Sequence, residues 1–460
     1  MAVYIPDSPE DLIKKIQTHT LAPFPEWAES SIKKLRSEFR GKDADPSAPL
    51  IVTGHQPIFY HPGILAKDLL SHFLAKSARG IALNMIVDTD DEDISLHLPV
   101  RGKTGLLSRE SFPISSTGIA LVGQKIPAEA KENIMKRLSG YRKELYEVFV
   151  PSMVPQISED LDSLTEIIRI SEFVCEPGIR LRELWEKNHS IRLKTIYTSR
   201  IVQSESFQVF KEYIISREKE FRKIYNESLT EYRELHKIKN KAQPLPDLDE
   251  VSGELPFWVV KNGERRPFIQ GSDINDINIY PRAVTLTLFC RIFISDLMIH
   301  GTGGARYDQI TNRILERFFQ YEAAPFSVAS ATLSLDVRAD YAVDSRDISE
   351  IENDLRRYDF DPVYFLKKGH PLKLEKSKII EKRKNPGADL KKIHSEIMKT
   401  NNEAKKLLGE FHRNLLKEKE RSRAVYRNNM VRLDRTFPFI FYSIHPLVEK
   451  VKTYGKVKSV

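Results

Sequence analysis

Two segments of the chain alternate apolar runs with helix-like runs, and this alternation constrains the fold more than any other feature. In the first segment, "PLIVTG" is a short apolar run that ends in glycine, "GILAKDLLSHFLAKSA" is helix-like, and "IALNMIVDTDDED" is a second apolar run. A strand, a helix and a strand within this length predict a β-α-β unit with parallel strands. "GIALVGQKIP" is a candidate for a further strand.

The second segment begins with "ELPFWVVKNGERRPFI", which predicts a hairpin with its turn at Asn262-Gly263. It continues with an apolar run, the glycine-rich "GTGGARYDQ" and an amphipathic run, and "PFSVASATLSL" is a further candidate strand. A single sheet built from both segments explains this pattern better than separate domains do.

The remaining parts of the chain are charged and helix-like, so the predicted fold class is α/β with helical insertions. Heptad-like spacing after residue 375 indicates a coiled-coil-like arm, and an apolar tail is expected to dock on the core. The predicted divisions are a helical preface, a first core part, a helical insertion, a second core part, and a helical arm with its tail, at 1–49, 50–126, 127–249, 250–345 and 346–460.

Composition narrows the class of protein. The 460 residues carry 72 basic and 64 acidic side chains, a net charge of +8 that is weak evidence for nucleic acid. The two cysteines, Cys175 and Cys290, have no zinc-like spacing and are expected to be buried thiols in a reducing compartment. No apolar run reaches the roughly 18 residues of a membrane span. A soluble cytoplasmic protein is the expectation.

The first motif is "VTGHQPIFYHPGILAK", at the end of the first predicted strand. Gly54 would let the chain approach a ligand, His55 and His61 could donate to phosphate oxygens, and Lys67 lies a turn into the helix. Gln56 belongs to the same turn. The alternative is structural, because histidines at such a turn often cap the helix.

The second motif is "VDTDDED", which places five acids within six residues after the second strand. Carboxylates there can bind a metal, take a proton or hold an amine, and Asp88, Asp90 and Asp91 are candidates for Mg²⁺. An acidic surface loop is the alternative.

The third motif is "IHGTGGARYDQITNRI". Gly303 and Gly304 precede a helix and could cradle a phosphate, and Arg306 could clamp an anion. Tyr307 could stack on a base, and Asp308 could orient a partner. The alternative is a turn shaped for tight packing.

Other polar residues are weaker candidates. Arg282 could face the same crevice, whereas Arg265 and Arg266 are expected to be solvated turn charges. A core or capping role is the expectation for His300, and a cysteine nucleophile is disfavoured because neither thiol has a histidine nearby in sequence.

The order "TGHQP…HPG…K", an acidic strand end, "GERRPF", "PRAVTL" and "GTGGARYDQ" resembles bacillithiol synthase, the cysteine-adding enzyme family of bacillithiol biosynthesis. "GHQP" is also similar, over about 45 residues, to the start of the WbqC-like proteins. The first resemblance implies a Rossmann-like, nucleotidyltransferase-like core with a coiled-coil arm. The positions carried over are Gly54, His55, Gln56, Asp90, Asp91, Gly303, Gly304 and Tyr307.

Together these features predict a ligase or group transferase that binds a nucleotide, or an activated, phosphorylated or amine-bearing small molecule, with a nucleotide and Mg²⁺ as candidate cofactors. The expected catalytic residues are His55, Asp90, Asp91 and Arg306. The expected binding residues are Gly54, Gln56, His61, Lys67, Gly303, Gly304, Tyr307 and Asp308. A homodimer through the helical arm is expected, and nucleic acid and membrane are not. The alternatives are a non-catalytic dimerising interaction protein and an RNA-binding protein with basic helical arms.

Overall fold

The computed structural model describes residues 1–274, 278–338 and 346–456. The chain divides into two units, each described here by itself. The first unit comprises Met1–Pro99, Arg109–Asp336 and Leu433–Val460, and the second comprises Val100–Ser108 and Val337–Arg432. The division expected near residue 345 lies outside the described residues.

The elements alternate along the chain as follows. The first half contains β1 (Ala2–Tyr4), α1 (Pro9–Thr20), α2 (Glu29–Arg40), β2 (Leu50–His55), α3 (Pro62–Ser77), β3 (Ile81–Ile86), β4 (Ser95–Arg101), β5 (Leu107–Pro113), α4 (Ala128–Tyr141), α5 (Leu145–Val148), α6 (Val154–Ile170), α7 (Glu176–Asn188), β6 (Lys194–Tyr197), α8 (Thr198–Ile201), α9 (Glu205–Ile215) and α10 (Glu218–Leu235). The second half contains β7 (Glu254–Lys261), β8 (Glu264–Ile269), β9 (Ile279–Pro281), α11 (Ala283–Phe289), β10 (Leu297–His300), α12 (Gly304–Ile314), β11 (Phe326–Val328), β12 (Ser330–Thr332), α13 (Ile348–Phe360), α14 (Pro371–Lys382), α15 (Leu390–Leu407), α16 (Gly409–Arg432) and α17 (His445–Lys452).

The first unit is built on a five-stranded sheet in the order β11-β10-β2-β3-β6, with every pair parallel. Numbered along the chain, these strands read 5-4-1-2-3, which is the doubly wound order of Rossmann-type sheets. Strands from both predicted segments therefore lie in one sheet. The strand order reverses between β2 and β10.

The strand β6 lies in a segment that was predicted to be helical. It is only four residues long, "KTIY", and follows a polar stretch, so it offers no clear strand period. Pairing with β3 fixes it at the sheet edge.

The central elements form because most of their residues are apolar on every side, although α3 also buries Lys67, Asp68 and His72. The first four residues of β2 are buried, and nearly all of α3 is buried too. A parallel strand covered on both faces needs an apolar run, and a helix buried all round needs the same. α3 contacts β2 and β3 on one side and β12 and α17 on another, so the C-terminal tail does return to the core of this unit.

A second, antiparallel sheet in the order β8-β7-β9 contains the predicted hairpin. Its turn residues Asn262 and Gly263 have φ of 53° and 81°, as a type I′ turn requires. The strand predicted over "GIALVGQKIP" does not form. Gly118 and Gly123 have φ of 72° and 71°, so the chain turns there, and Ala120 and Leu121 are buried against the core instead.

A buried carboxylate joins the amino ends of the two strands at the reversal. Asp296, just before β10, accepts hydrogen bonds from Leu50 N at 2.8 Å and from Arg36, and lies 3.2 Å from His19 Nδ1. Asp296 N in turn donates to Leu50 O at 2.7 Å. Burial raises the pKa of Asp296, but His19, Arg36 and Leu50 N outweigh it, so the pKa is lowered overall.

The second unit is helical. α13 packs on α16, and α14 on α15, around a small core of Val363, Leu366, Leu372 and Ala404. Within the described part of the chain, no helix in either unit is both long and apolar enough to cross a membrane.

We expect Asp296→Asn to lower the free energy of unfolding at pH 7 by about 3 to 5 kcal/mol, because it leaves the buried Arg36 uncompensated. Because folding lowers the pKa of Asp296, its contribution is complete above the unfolded value and is lost as pH falls below about 4. The difference between variant and wild type in urea unfolding should therefore shrink in acid.

Glu205→Gln is the matched control. Glu205 pairs with Lys34 where both side chains are exposed, so its loss should change stability by less than about 1 kcal/mol. Equal effects of the two substitutions would contradict the role given to Asp296.

Candidate functional site

The candidate site lies at the carboxyl ends of the strands, where the strand order reverses. A cavity of about 330 Å³ opens there. Gly54 and Gln56 line it from the end of β2, Asp90 from the loop after β3, and His300 from the end of β10. Open α/β sheets hold their ligands at this reversal point. Each of the three sequence motifs therefore contributes at least one residue to this crevice, although Gly303, Gly304, Arg306, Tyr307 and Asp308 are not on its wall.

The floor of the cavity is apolar, with Met85, Met298 and Cys290 among its residues. Burial raises the pKa of the Cys290 thiol to about 12, so this thiol is neutral at pH 7 and a poor nucleophile. Tyr225 also lines the cavity, and its hydroxyl makes no hydrogen bond to a described residue. Burial raises the pKa of Tyr225 to about 12, so its hydroxyl remains a donor.

Trp258 forms one wall, with two guanidinium groups over its indole. The Arg282 guanidinium carbon lies 3.9 Å from the ring centroid and that of Arg265 lies 4.7 Å from it. Arg282 lies in the crevice as the sequence suggested, and its guanidinium pairs with Glu254. Cations over an indole fix its orientation and contribute about 0.5 to 2 kcal/mol each. Trp258 is therefore held in one orientation on the cavity wall.

Arg265 is not the solvated turn charge that the sequence suggested. Its Nη1 donates to Asp90 Oδ1 at 2.6 Å and its Nη2 to Asp91 Oδ1 at 2.5 Å. Gln56 Nε2 donates to the other Asp90 oxygen at 3.0 Å. Burial raises the pKa of Asp90, but these donors outweigh it and the pKa is lowered, so Asp90 stays ionised.

The carboxylates that the sequence predicts for Mg²⁺ have other partners in the structure. The Arg265 guanidinium bridges Asp90 and Asp91, and Asp88 accepts hydrogen bonds from the backbone and hydroxyl of Ser199. Among the described residues, no group of three His, Cys, Asp or Glu side chains is arranged to hold a metal ion. The counter-charge at this strand end is an arginine.

His55 ends β2 but is not on the cavity wall. Its Nδ1 lies 3.3 Å from Gln56 O, and its ring meets Tyr60 edge-on. Burial, together with the charge of Lys67, lowers the pKa of His55 well below its usual value, so the ring is neutral at pH 7. A neutral imidazole with Nδ1–H directed at a carbonyl leaves Nε2 as an acceptor.

His61, rather than His55, caps the helix. His61 Nδ1 accepts from Gly63 N at 2.9 Å at the start of α3, and burial lowers its pKa to about 3. Lys67 is buried one turn further on, and its Nζ donates to Gly54 O at 2.6 Å. Burial lowers the pKa of Lys67 to about 8. Lys67 therefore anchors the end of β2 through the carbonyl oxygen of Gly54.

Gly54 is required by strand packing. A Cβ there would lie 2.6 Å from Met85 O on the neighbouring strand, closer than real Cβ atoms come. Gly54 also borders the cavity, so the same lack of a side chain leaves the crevice open.

The glycine-rich turn brings His300 and Asp308 together. His300 Nε2 lies 2.7 Å from Asp308 Oδ2, although off the ideal hydrogen-bond angle. Asp308 is only 1% exposed, so it lies behind His300 and not on the cavity wall. Its other oxygen is 3.4 Å from Arg291 Nη1. His300, which the sequence left as a core or capping residue, is thus the polar group that this turn presents.

The other residues of the turn lie at the start of α12. Gly303 occupies the cap position and supplies no side-chain hydrogen bond. A Cβ on Gly304 would lie 2.9 Å from His300 Nδ1. Arg306 is exposed and makes no ion pair with a described residue, and Tyr307 is half-buried. The turn therefore has no side-chain cap, and within it Ala305 N donates to Gly301 O at 3.1 Å and Arg306 N to Gly303 O at 3.2 Å.

Comparisons with known proteins show little likeness. No family model matches the chain, and no curated protein matches it. Among solved structures, the tryptophanyl-tRNA synthetase of Plasmodium falciparum aligns over 96% of each chain at 11% sequence identity, with a TM-score of 0.25.

We expect the Lys67 amine to titrate near pH 8, because burial opposes its charge. NMR of the lysine ε-carbons would show this midpoint, assigned by the signal missing in Lys67→Arg. Lys34, whose pKa is raised by its hydrogen bond to Glu205, is the internal control and should titrate above its usual value. A Lys67 midpoint at 10 or above would show a solvated amine.

Gly54→Ala should destabilise the chain by about 1 to 3 kcal/mol, because the added methyl group meets the backbone of β3. Gly140→Ala in α4 is the matched control, since its Cβ would find no atom nearer than 4.0 Å. The control should be neutral or stabilising by up to about 1 kcal/mol. Urea unfolding would measure both, and a neutral Gly54→Ala would contradict the packing role.

Proposed function

We propose that the chain is an enzyme of the ligase or group-transferase class that binds a nucleotide, or an activated, phosphorylated or amine-bearing small molecule, in the crevice at the strand reversal. The observation that carries this proposal is the convergence of Gln56, Asp90, Trp258 and His300 on one cavity at that point. Ligand sites in open α/β sheets occupy this position.

The walls of the cavity suit a molecule with a planar ring. Trp258 offers a fixed aromatic face, and the floor is apolar. Tyr225 and Gln56 supply neutral hydrogen-bonding groups. Because Arg265 and Arg282 already pair with carboxylates, they fix Trp258 in place and do not serve as free anion clamps.

The start of α12 suits an anionic group on the same ligand. The dipole of a helix favours a phosphate or carboxylate at its N-terminus, although Ala305 N and Arg306 N already donate to Gly301 O and Gly303 O here. Gly303 and Gly304 leave room for close approach, and Arg306 has no partner among the described residues. Arg306 thus keeps its predicted role of stabilising negative charge.

His300 is the proton acceptor in this proposal. When its Nε2–H is directed at Asp308, its Nδ1 carries the lone pair, and Nδ1 makes no hydrogen bond to a described residue. An amine or thiol nucleophile of one substrate gives its proton to Nδ1 while its electron pair forms the bond to the activated carbon of the other. The leaving group departs with the bonding electron pair, and Arg306 balances its charge. The Asp90 carboxylate is already held by Arg265 and Gln56, so it acts on the amine only through its charge.

The finer form of the proposal is a reaction of the bacillithiol-synthase type, in which the amino acid added is cysteine. It rests on the motif order in the sequence, and His55 would act in it through the shape of the Gly54–Gln56 turn. Dimerisation through the helical arm predicted at 346–460 and the nucleic-acid alternative stay predictions.

The test is a thermal-shift panel of nucleotides and nucleoside phosphates on the full chain. We expect at least one of them to raise the melting temperature, because a ligand that binds only the native state stabilises it. Trp258→Ala should remove the shift for ring-bearing ligands, and Arg306→Ala should reduce it only for phosphorylated ones.

Gly304→Ala should also reduce the shift, because its methyl group would press on His300 Nδ1. Arg427→Ala, an exposed arginine of α16, is the control and should leave every shift unchanged. The absence of a shift with the whole panel, or shifts indifferent to all three substitutions, would refute the proposal.

A further inference from the structure

A second and larger cavity, of about 1270 Å³, lies near the amino ends of β10 and β11 in the first unit. Residues of α1 form one side, and the connection from α12 to β11 forms the other. The crevice at the strand reversal lies at the carboxyl ends of the strands. The two cavities therefore lie at opposite ends of the strands of the same sheet.

Two polar groups at this second cavity have no partner among the described residues. His19 is 7% exposed, and its Nδ1 faces Asp296, but its Nε2 is buried without a hydrogen bond. The hydroxyl of Tyr321 is buried and unpaired in the same way. Both residues line the cavity. A buried group without a partner costs about 1 to 3 kcal/mol, so each calls for a ligand atom or water.

The hydrogen-bonding role of His19 Nε2 depends on the contact between His19 Nδ1 and Asp296. In the neutral tautomer that gives Nδ1–H to the Asp296 carboxylate, Nε2 carries a lone pair. In that tautomer the unpaired Nε2, buried beside the cavity, is a hydrogen-bond acceptor, and it suits a donor such as an ammonium or a hydroxyl.

The charges of the lining favour the ammonium. Lys15 is neutralised by Asp7 at 2.7 Å, and Arg291 by Asp308. Glu316 and Glu322 are exposed carboxylates without an ion-pair partner among the described residues. The carboxylate of Asp11 lies with them, and its pKa is lowered by the hydrogen bond from the Ser8 hydroxyl. Lys14, which has no ion-pair partner among the described residues, balances only part of this negative charge.

We propose that this cavity binds an organic amine with an apolar body, its ammonium held by His19 Nε2, Tyr321 and the carboxylates of Glu316 and Glu322. Phe24, Pro325 and Phe326 supply the apolar wall for the body of the ligand. Aromatic rings also attract an ammonium through their faces. The site is separate from the crevice at the strand reversal and needs no part of the chemistry proposed there.

Calorimetric titration of the full chain with benzylamine, benzyl alcohol and benzoate tests the proposal, because these probes share a ring and differ in charge. We expect benzylamine to bind, benzyl alcohol to bind roughly tenfold more weakly or worse, and benzoate not to bind. No heat of binding with millimolar benzylamine, or equal affinity for benzoate, would overturn it.

Substitutions at the cavity locate the binding. The double variant Glu316→Gln, Glu322→Gln and the single variant Tyr321→Phe should each weaken benzylamine binding by roughly tenfold. These side chains are exposed or half-buried, so the variants should fold. Glu38→Gln, an exposed carboxylate of α2, is the control and should bind as wild type does.

Trp258→Ala separates this site from the crevice at the strand reversal. Benzylamine affinity unchanged in Trp258→Ala and reduced in the carboxylate variants supports the second site, whether or not nucleotides bind. Affinity lost in Trp258→Ala and retained in the carboxylate variants would show that the amine binds in the crevice and would overturn the inference.

Discussion

The Asp296 carboxylate sets the spacing of the two strands at the centre of the sheet. It receives the backbone N–H of Leu50 and the side chains of Arg36 and His19, and so ties α1 and α2 to the starts of β2 and β10. Removing one partner of a buried charge costs much free energy, so these contacts hold the partners in place. Because β2 and β10 run parallel from this junction, their other ends are fixed too, and the turns that follow them form the crevice.

Electrostatic compensation decides which groups in the crevice are free to react. The carboxylates of Asp90 and Asp91 are held by Arg265, and those of Glu254 and Asp308 by other arginines. The groups that remain available to a ligand include the Tyr225 hydroxyl and the His300 imidazole. A crevice that looks highly charged in sequence therefore presents a largely apolar interior with a few directed hydrogen-bonding groups, as ligand pockets generally do.

Apolar patterns predicted the central elements well, because the β2-α3-β3 unit is buried on all sides and its sequence shows it. The hairpin followed from Asn262-Gly263, a local signal. What sequence reasoning missed depends on partners far apart in the chain: Arg265 meets Asp90 across 175 positions. His300 was missed because its position in the site depends on two other residues. Asp308, one helical turn into α12, lies beside its Nε2, and Gly304 has no side chain that would press on its Nδ1. The strand β6 is too short for an alternation of polar and apolar residues to be detected in its sequence.

Arg291 stands between the two cavities of the sheet. It lines the cavity at the amino ends, and from there its guanidinium reaches Asp308, whose other oxygen lies beside His300. Arg291 is 4% exposed and also donates to Ala324 O, so it has little freedom to move alone. A substitution at this one position would therefore have pleiotropic effects: it would alter the wall of one cavity and the position of Asp308 behind His300 in the other.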